Sequence, residues 1–404
     1  MNAVPKLRFK DDDGSDFPDW EEVALSEIAE RSTEKNKDLE LTLVLTNSAV
    51  QGVVVQTEYF DKSIANEANI SGYYKVRKSD FVYNPRISSL APVGPISQNM
   101  KGDGIMSPLY TVFRVGEPYQ RFLNVYFKSS VWFDYMRSIA NQGARHDRMN
   151  ITTSDFMALP IDLPCSRERE KIALFLSSVD KKIDLLRQKK NALELYKKGL
   201  MQKIFSQEIR FKGDDGSDFP EWEEVALGDV LRERKEYSEK NKGYPHISLT
   251  VEGVVPKSER YDRDFLVKDD DTKKYKVTRQ GDICYNPANL KFGVIDVNRW
   301  GDGIFSPIYV TFEAKGASLD YVGYLVRHSS FINKVRKFEQ GTVYERQAVH
   351  PEHFVQAIIN LPCLLEQQKI ASFLSAIDSK IQKTSAQIEQ METFKKGLLQ
   401  QMFI

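Results

Sequence analysis

The chain is written twice, and that constrains its architecture more than any other feature. Residues 7–25 read LRFKDDDGSDFPDWEEVAL and residues 209–227 read IRFKGDDGSDFPEWEEVAL, a displacement of 202 in a chain of 404. A repeat of this period sets the architecture before any secondary structure is read. The register persists downstream, where Asp80 matches Asp282 and Tyr83-Asn84-Pro85 matches Tyr285-Asn286-Pro287 at the same displacement. Gly102-Asp103-Gly104-Ile105-Met106-Ser107-Pro108 then matches Gly301-Asp302-Gly303-Ile304-Phe305-Ser306-Pro307 at 199, so three residues are lost between these landmarks. Gln142-Gly143, Arg148, Leu163-Pro164-Cys165 and Lys171-Ile172-Ala173 recur as Gln340-Gly341, Arg346, Leu361-Pro362-Cys363 and Lys369-Ile370-Ala371, displaced by 198. The two halves are homologous and run in parallel from beginning to end.

Each half has two characters. Its first part mixes β-rich patches, such as Val53-Val54-Val55 and Tyr110-Thr111-Val112-Phe113, with turn residues and shorter helical stretches, the pattern of a compact α+β domain. After each Leu-Pro-Cys, proline disappears, glycine becomes rare, and apolar residues take a heptad spacing. In the first half Ile172, Leu176, Val179, Ile183, Leu186, Lys190, Leu193, Lys197, Leu200 and Ile204 step by four and three. Ile370, Leu374, Ile377, Ile381, Thr384, Ile388, Met391, Lys395, Leu398 and Met402 do the same in the second. Each pattern covers roughly 35 residues, a rod on the order of 50 Å long at about 1.5 Å per residue. One amphipathic helix alone packs onto its own domain, but two matched heptad seams can pair. The expected division is 1–164 and 207–362 for the α+β domains, with helical spacers at 165–206 and 363–404.

Bulk properties narrow the function classes. A chain of 404 residues exceeds the size at which one core keeps growing, so several domains are expected. Hydrophobic content of 41% with 28% charged residues fits an ordinary globular protein, and no run of eighteen apolar residues offers a membrane span. The opening MNAVPKLRFKDDDG has neither a secretory apolar core nor the acid-poor character of a transit peptide, so a cytoplasmic location is expected. Cys165, Cys284 and Cys363 are too few and scattered for a disulfide framework or a Cys-x-x-Cys zinc site. Lys+Arg and Asp+Glu balance at 57 each, so any nucleic-acid-binding surface must be local.

The helical openings LPCSREREKIALFLSSVDKKID and LPCLLEQQKIASFLSAIDSKI, with the endings YKKGLMQKIF and FKKGLLQQMF, resemble the specificity subunit of type I restriction-modification enzymes. The repeated Phe-Pro-x-Trp-Glu-x-Val-x-Leu and Gly-Asp-Gly-Ile-x-Ser-Pro segments resemble that family's target-recognition domains, and the likeness covers essentially the whole chain. It implies an α+β fold with two target-recognition domains, held apart by two long antiparallel coiled-coil helices with pseudo-twofold symmetry. It implies double-stranded DNA as ligand, two methyltransferase subunits and two restriction/translocase subunits as partners, and a bipartite asymmetric site read across a spacer. A rigid rod carrying two readers converts helix length into half-site spacing.

Groove readout calls for Arg or Lys on guanine and Asn or Gln on adenine, with further cations on phosphates. Positions shared by the halves serve common work, while diverged positions distinguish two half-sites. The clearest divergence runs from Arg86 to Lys101 and from Ala288 to Trp300. Arg86, Gln98 and Lys101, and Asn289, Lys291 and Arg299, are the candidates within it, with a solvated loop as the alternative. Asn84 and Asn286 of the shared Tyr-Asn-Pro join the set, as do Arg145, Arg148, Gln340 and Arg346 from the loops 143–148 and 341–346. The helix from Arg167 to Lys203 carries eleven basic against five acidic residues, an excess that faces DNA, an acidic partner or solvent.

Catalytic readings fare worse. Tyr83-Asn84-Pro85-Arg86 lacks the second proline and aromatic of the amino-methyltransferase motif, and no glycine-rich turn for S-adenosylmethionine is evident. Pro220-Glu221 with Glu233-Arg234-Lys235 only loosely fits a metal nuclease. The aspartate runs 11–13, 214–215 and 269–271 read as solvated loop acids, and His350-Pro351-Glu352-His353 has the wrong spacing for zinc. No metal is assigned. No phosphate-cradling Gly-x-x-x-x-Gly-Lys-Ser/Thr occurs, so S-adenosylmethionine, ATP and magnesium are expected on partner subunits, with no cofactor and no catalysis in this chain. The rival readings are an interaction scaffold that binds protein or glycan, and an enzyme in its own right. The recognised bases and the spacer length are not written in the sequence.

Overall fold

The computed structural model describes residues 4–59, 67–140, 147–239, 243–257, 274–340 and 347–403. It divides into two packing units, residues 1–188 with 385–404, and residues 189–384.

In the first unit, β1 (Glu21–Ala24), β2 (Ala29–Ser32), β3 (Leu45–Ser48), β4 (Gly52–Val55), β5 (Tyr74–Val76), β6 (Phe81–Tyr83), β7 (Ile96–Gln98), β8 (Gly104–Met106) and β9 (Thr111–Val115) precede helix α1 (Glu117–Tyr126). β10 (Pro160–Leu163) then leads into α2 (Ser166–Phe205). The central sheet has the order β2-β9-β6-β7, while β3 pairs β4, β5 pairs β8 and β1 pairs β10, all antiparallel.

The second unit repeats this plan. It contains β11 (Glu223–Ala226), β12 (Leu231–Glu233), β13 (Tyr237–Glu239), β14 (Ile247–Thr250), β15 (Gly253–Pro256), β16 (Lys274–Thr278), β17 (Ile283–Tyr285), β18 (Ile295–Val297), β19 (Gly303–Phe305) and β20 (Val310–Ala314). Helix α3 (Leu319–Arg327), β21 (Ile358–Leu361) and α4 (Leu364–Met402) follow. The order β12-β20-β17-β18 matches the first central sheet strand for strand, and β14-β15 and β11-β21 match its small pairs. β13 adds a third strand on the far side of β16 from β19, where the described residues of the first unit have the bridge Lys35 to Tyr74. The α+β expectation is what the chain adopts.

The aromatic residues explain why these short strands cohere. Phe81, Phe113 and Phe156 are buried and in ring contact in the first core, as Tyr285, Phe312 and Phe354 are in the second. Such rings contribute beyond the area they bury.

The Leu-Pro-Cys junctions end the strands, and the helices begin at Ser166 and Leu364, running 40 and 39 residues. Each helix starts in one unit and ends in the other, so the packing units cut both spacers at mid-length. In the first unit Ile172, Leu176, Val179 and Ile183 share a core with Leu398 and Met402. There Asp180 pairs with Lys395 and Arg187 with Glu392, contacts that only antiparallel segments make. In the second unit Ile204 shares a core with Ile370 and Leu374, and Lys197 pairs with Asp378. The heptad lysines 197 and 395 therefore sit in the seams with a carboxylate opposite each, a device that fixes register.

Candidate nucleic-acid interface

The repeated opening segment holds each domain onto its helix. Glu168, on the first turn of α2, is fully buried, and both its oxygens accept from Arg8, at 3.0 and 2.7 Å, while Trp20 Nε1 donates at 3.0 Å. Glu366 takes the same bonds from Arg210, at 3.3 and 2.9 Å, and from Trp222 at 3.0 Å. The shared arginine and tryptophan thus build the frame, which sequence reasoning missed; their partner glutamates are displaced by the same 198 residues as the neighbouring landmarks. The aspartate runs serve the same junction, because Lys171 Nζ donates to Asp12 and Lys369 Nζ to Asp214, each at 2.6 Å. The run 269–271 lies outside the described residues. Among the described residues, no group of three or more His, Cys, Asp or Glu is placed to hold a metal.

Asn84 and Asn286 require correction as DNA contacts, since both are buried. Asn84 Nδ2 donates to Asn47 O at 2.8 Å, and its Oδ1 accepts from Arg86 N at 3.0 Å. Asn286 Oδ1 accepts from the backbone of Ala288 and Asn289 at 3.1 and 3.3 Å. Both amide oxygens close a chain turn, and burial leaves these side chains little surface to offer a base. The adjacent tyrosines are buried too, Tyr83 OH donating to Val93 O and Tyr285 OH to Val349 O, and burial raises both phenol pKa values. The Tyr-Asn-Pro element is structural.

The stretch Arg86–Lys101 is not one loop. β7 runs through it and pairs back onto β6, Phe81 opposite Gln98 and Tyr83 opposite Ile96, so Arg86 and Lys101 leave opposite ends of one hairpin. At the Arg86 end, the turn held by Asn84 presents an exposed Arg86 and lays it against Arg148 through a β-bridge. Met149 N donates to Pro85 O at 2.8 Å and Ile87 N to Asp147 O at 3.1 Å. Two guanidinium groups far apart in sequence are thereby carried on adjacent backbone. Desolvation works against the Asp147 carboxylate, yet the charges of Arg148 and Arg86 hold its pKa below the ordinary value. Among the described residues, Arg148 Nε is buried without a hydrogen-bond partner. Arg145 and Arg346 lie outside the described residues.

In the second unit the matching end carries an exposed Asn289 and a half-buried Lys291, whose Nζ lies 5.3 Å from the Phe292 ring centre. Val349 N donates to Pro287 O at 3.2 Å, and Gln340, exposed, is bridged to Ala348 on the same returning segment. At the opposite ends of the hairpins, Gln98 Nε2 donates to Ser79 O at 3.3 Å, Lys101 is exposed, and Arg299 reaches Asp320 at 2.7 Å. Each unit thus offers two surface clusters, one at each end of its central hairpin. A cleft of about 540 Å³ beside α2 and α3 is lined by Lys197, Arg327 and His328, but Lys197 and Arg327 already face Asp378 and Asp296.

Known proteins sharpen this picture. Residues 18–195 match the type I restriction modification DNA specificity domain. The type I restriction enzyme MjaVIII specificity subunit of Methanocaldococcus jannaschii is 24% identical over 99% of this chain and 96% of its own. A protein of the same archaeon, assigned by its name as the MjaX specificity subunit, is 27% identical over 70% of this chain and 66% of its own, just under two thirds of that relative. The fold is that of the S subunit of a type I restriction-modification system from M. genitalium, at TM-score 0.55 and 13% identity, covering 100% of this chain and 99% of the other. A chain from a structure of a type I R-M system also shares it, at TM-score 0.56 and 14% identity, covering 95% and 97%. No helix among the described residues is long and apolar enough to cross a membrane. With the duplicated domains and paired heptad helices already seen, the chain is similar over its length to type I restriction-modification specificity subunits, and residues 18–195 match the DNA specificity domain of that family.

Proposed function

We propose that the chain is the sequence-reading subunit of a type I restriction-modification complex, each unit reading one half of a bipartite asymmetric DNA site. The observation that carries this reading is the repetition of one fold, strand for strand, with diverged surface residues at the hairpin ends. One homologous reader per half-site with different contact residues is what an asymmetric bipartite sequence requires. The helix pair sets the half-site spacing and docks two methyltransferase subunits, and two restriction/translocase subunits complete the complex. Methylation and cleavage, with S-adenosylmethionine, ATP and magnesium, belong to those partners, and this chain directs them.

Arg86 and Arg148 hold DNA phosphates at one end of the first unit, while Asn289, Lys291 and Gln340 act at the matching end of the second. Gln98, Lys101 and Arg299 meet DNA from the other ends. Arg145 and Arg346, from the same repeated loop, join the phosphate contacts. Phosphate contacts position a reader without specifying sequence. Arg86→Gln is therefore expected to weaken binding of the complex to all duplexes alike and to lower the salt slope by about one. The first test is to co-express the chain with its methyltransferase subunit and map methylated bases genome-wide. Two short motifs at one fixed spacing support the reading, whereas one contiguous motif or no methylation favours a scaffold.

A further inference from the structure

We propose that the turns 99–103 and 298–302 are base-reading knuckles, with Met100 and Lys101 in the first unit and Arg299 and Trp300 in the second as the specificity-determining pairs. This rests on the DNA-reading function proposed above and assigns sequence discrimination to a feature none of the likenesses points to. The frame of the turn repeats almost bond for bond. Asn99 and Asn298 are fully buried. Asn99 Nδ2 donates to Arg77 O at 3.0 Å and Gly102 O at 2.7 Å, and its Oδ1 accepts from Lys101 N at 3.0 Å. Asn298 Nδ2 donates to Arg279 O at 3.1 Å and Gly301 O at 2.7 Å, and its Oδ1 accepts from Trp300 N at 3.1 Å. The following glycines, Gly102 and Gly301, have φ of 124° and 138°, a region closed to most side chains. The next residues, Asp103 and Asp302, then anchor the turn to the preceding strand end, accepting from Lys78 N at 2.8 Å and Gln280 N at 3.1 Å and pairing with Arg77 and Arg279.

On that common frame the two tip residues differ entirely. Met100 is 62% exposed and Trp300 44% exposed, and Lys101 and Arg299 beside them are exposed as well. Nothing in either core requires a large apolar side chain there, since both point away from it. Lys101 has no side-chain partner among the described residues. Among the described residues Arg299 pairs with Asp320, in a surface pair that costs little to open. A cation next to an apolar side chain is the chemistry that separates base pairs in a groove. The cation bonds guanine O6 and N7, and the apolar group contacts a thymine methyl or wedges at a base step. The order is apolar then cationic in one unit and cationic then aromatic in the other, so the two knuckles prefer different bases. A turn fixed by its own buried asparagine meets the groove with little ordering cost.

The test transplants tips within the full complex. The chain carrying Arg299→Met with Trp300→Lys, and separately the chain carrying Met100→Arg with Lys101→Trp, is co-expressed with the methyltransferase subunit and its methylated motif is mapped. Each double variant is expected to change or relax one half-site by roughly tenfold or more and to leave the other half-site and the spacing untouched. Unchanged motifs in both variants overturn the inference, and so does a uniform loss across all sequences, which marks a phosphate contact. If a transplanted chain fails to fold, Trp300→Ala and Met100→Ala, which only trim exposed atoms, decide by the same criterion. A wild-type complex that yields no bipartite motif removes the parent function instead.

Discussion

The two units solve one electrostatic problem in two ways. Asp80 and its counterpart Asp282 are each 2% exposed, and each needs an arginine. In the first unit Arg114, on β9, supplies it at 2.9 and 3.2 Å, and in the second Arg234, just past β12, supplies it at 2.7 and 2.9 Å. Where the first unit has Arg114 the second has Glu313, and where the second has Arg234 the first has Ser32. β2 and β9 are neighbours, as are β12 and β20, so either strand reaches the carboxylate. The fold retains a neutralised buried charge and leaves the donor's position free, because an unpaired buried carboxylate is costly. Divergence inside the units is compensated in this way. Divergence at the tips of the turns 99–103 and 298–302 is not, as the recognition role proposed for them requires.

The sharpest test of equivalence between the units is the clamp on each long helix. Removing Glu168 strands Arg8, 16% exposed, and the buried Trp20, so Glu168→Ala is expected to cost roughly 3–5 kcal/mol in urea unfolding. Glu366→Ala should cost less, because Arg210 keeps Glu221 at 3.3 Å and is 22% exposed. Equal losses would show that the enclosure of the arginine does not matter.

Next in size is the glycine after each hairpin loop. Gly94 and Gly293 share a left-handed backbone, with φ of 83° and 80°. A Cβ on Gly94 would lie 2.0 Å from Asn84 O, whereas one on Gly293 meets nothing within 4 Å. Gly94→Ala should therefore cost roughly 3 kcal/mol and Gly293→Ala about 1 kcal/mol, read by thermal unfolding. A cost at Gly293 equal to that at Gly94 would mean that the backbone conformation alone decides both.

Much of this architecture was legible. The duplication, the heptad seams and the Leu-Pro-Cys junctions depend on period and turn chemistry, which act locally along the chain, and they delimit the two long helices closely, whereas the packing units divide at mid-helix. The surface set was less legible because side-chain fate depends on which strands meet. Asn84 reads as a base-contacting amide until Asn47 is brought beneath it, and Arg86 and Lys101 read as one loop until β7 separates them. Arg148 lies far from Arg86 in sequence, and only the bridge between their backbones joins them. The roles of Arg8 and Trp20 were hidden for the same reason, since Glu168 lies on a different element. The knuckles were half visible, because their tips lie in the diverged stretch while the asparagine that fixes them is shared.

The seam carboxylates give a smaller contrast. Asp180 lies between Lys128 at 2.7 Å and Lys395 at 2.5 Å, while Asp378 has Lys197 at 2.6 Å and the Tyr324 hydroxyl at 2.7 Å. Burial pushes the Asp180 pKa up, but the hydrogen bonds from Lys128 and Lys395 prevail and hold it below the ordinary value of 3.8. A folded-state pKa below the unfolded one stabilises above the unfolded value, and the stabilisation fades as pH falls through the folded value. Asp180→Asn should thus cost about 1–2 kcal/mol at neutral pH and flatten the stability profile on the acid side of pH 4. If the acid limb keeps its slope in that variant, Asp180 is not its source.

The smallest effect has the opposite sign. Asp296 on β18 occupies the place of Ser97 on β7, each opposite the middle residue of its partner strand. Burial raises the Asp296 pKa, and Arg327, 3.1 Å away, only partly opposes it. Because the folded-state pKa lies above the unfolded one, protonation favours the folded form, so this group adds stability as pH falls and withdraws it as pH rises. Asp296→Asn keeps an oxygen for the bond from Val297 N at 2.8 Å and removes the buried charge, while Arg327, 45% exposed, regains water. The variant should gain about 0.5 kcal/mol at pH 7 and nothing at pH 3, where the carboxyl is already neutral, as read from melting temperature at the two pH values. A loss at pH 7 would mean that the Arg327 pair outweighs burial, and that the second unit, like the first, draws stability from its ionised carboxylate.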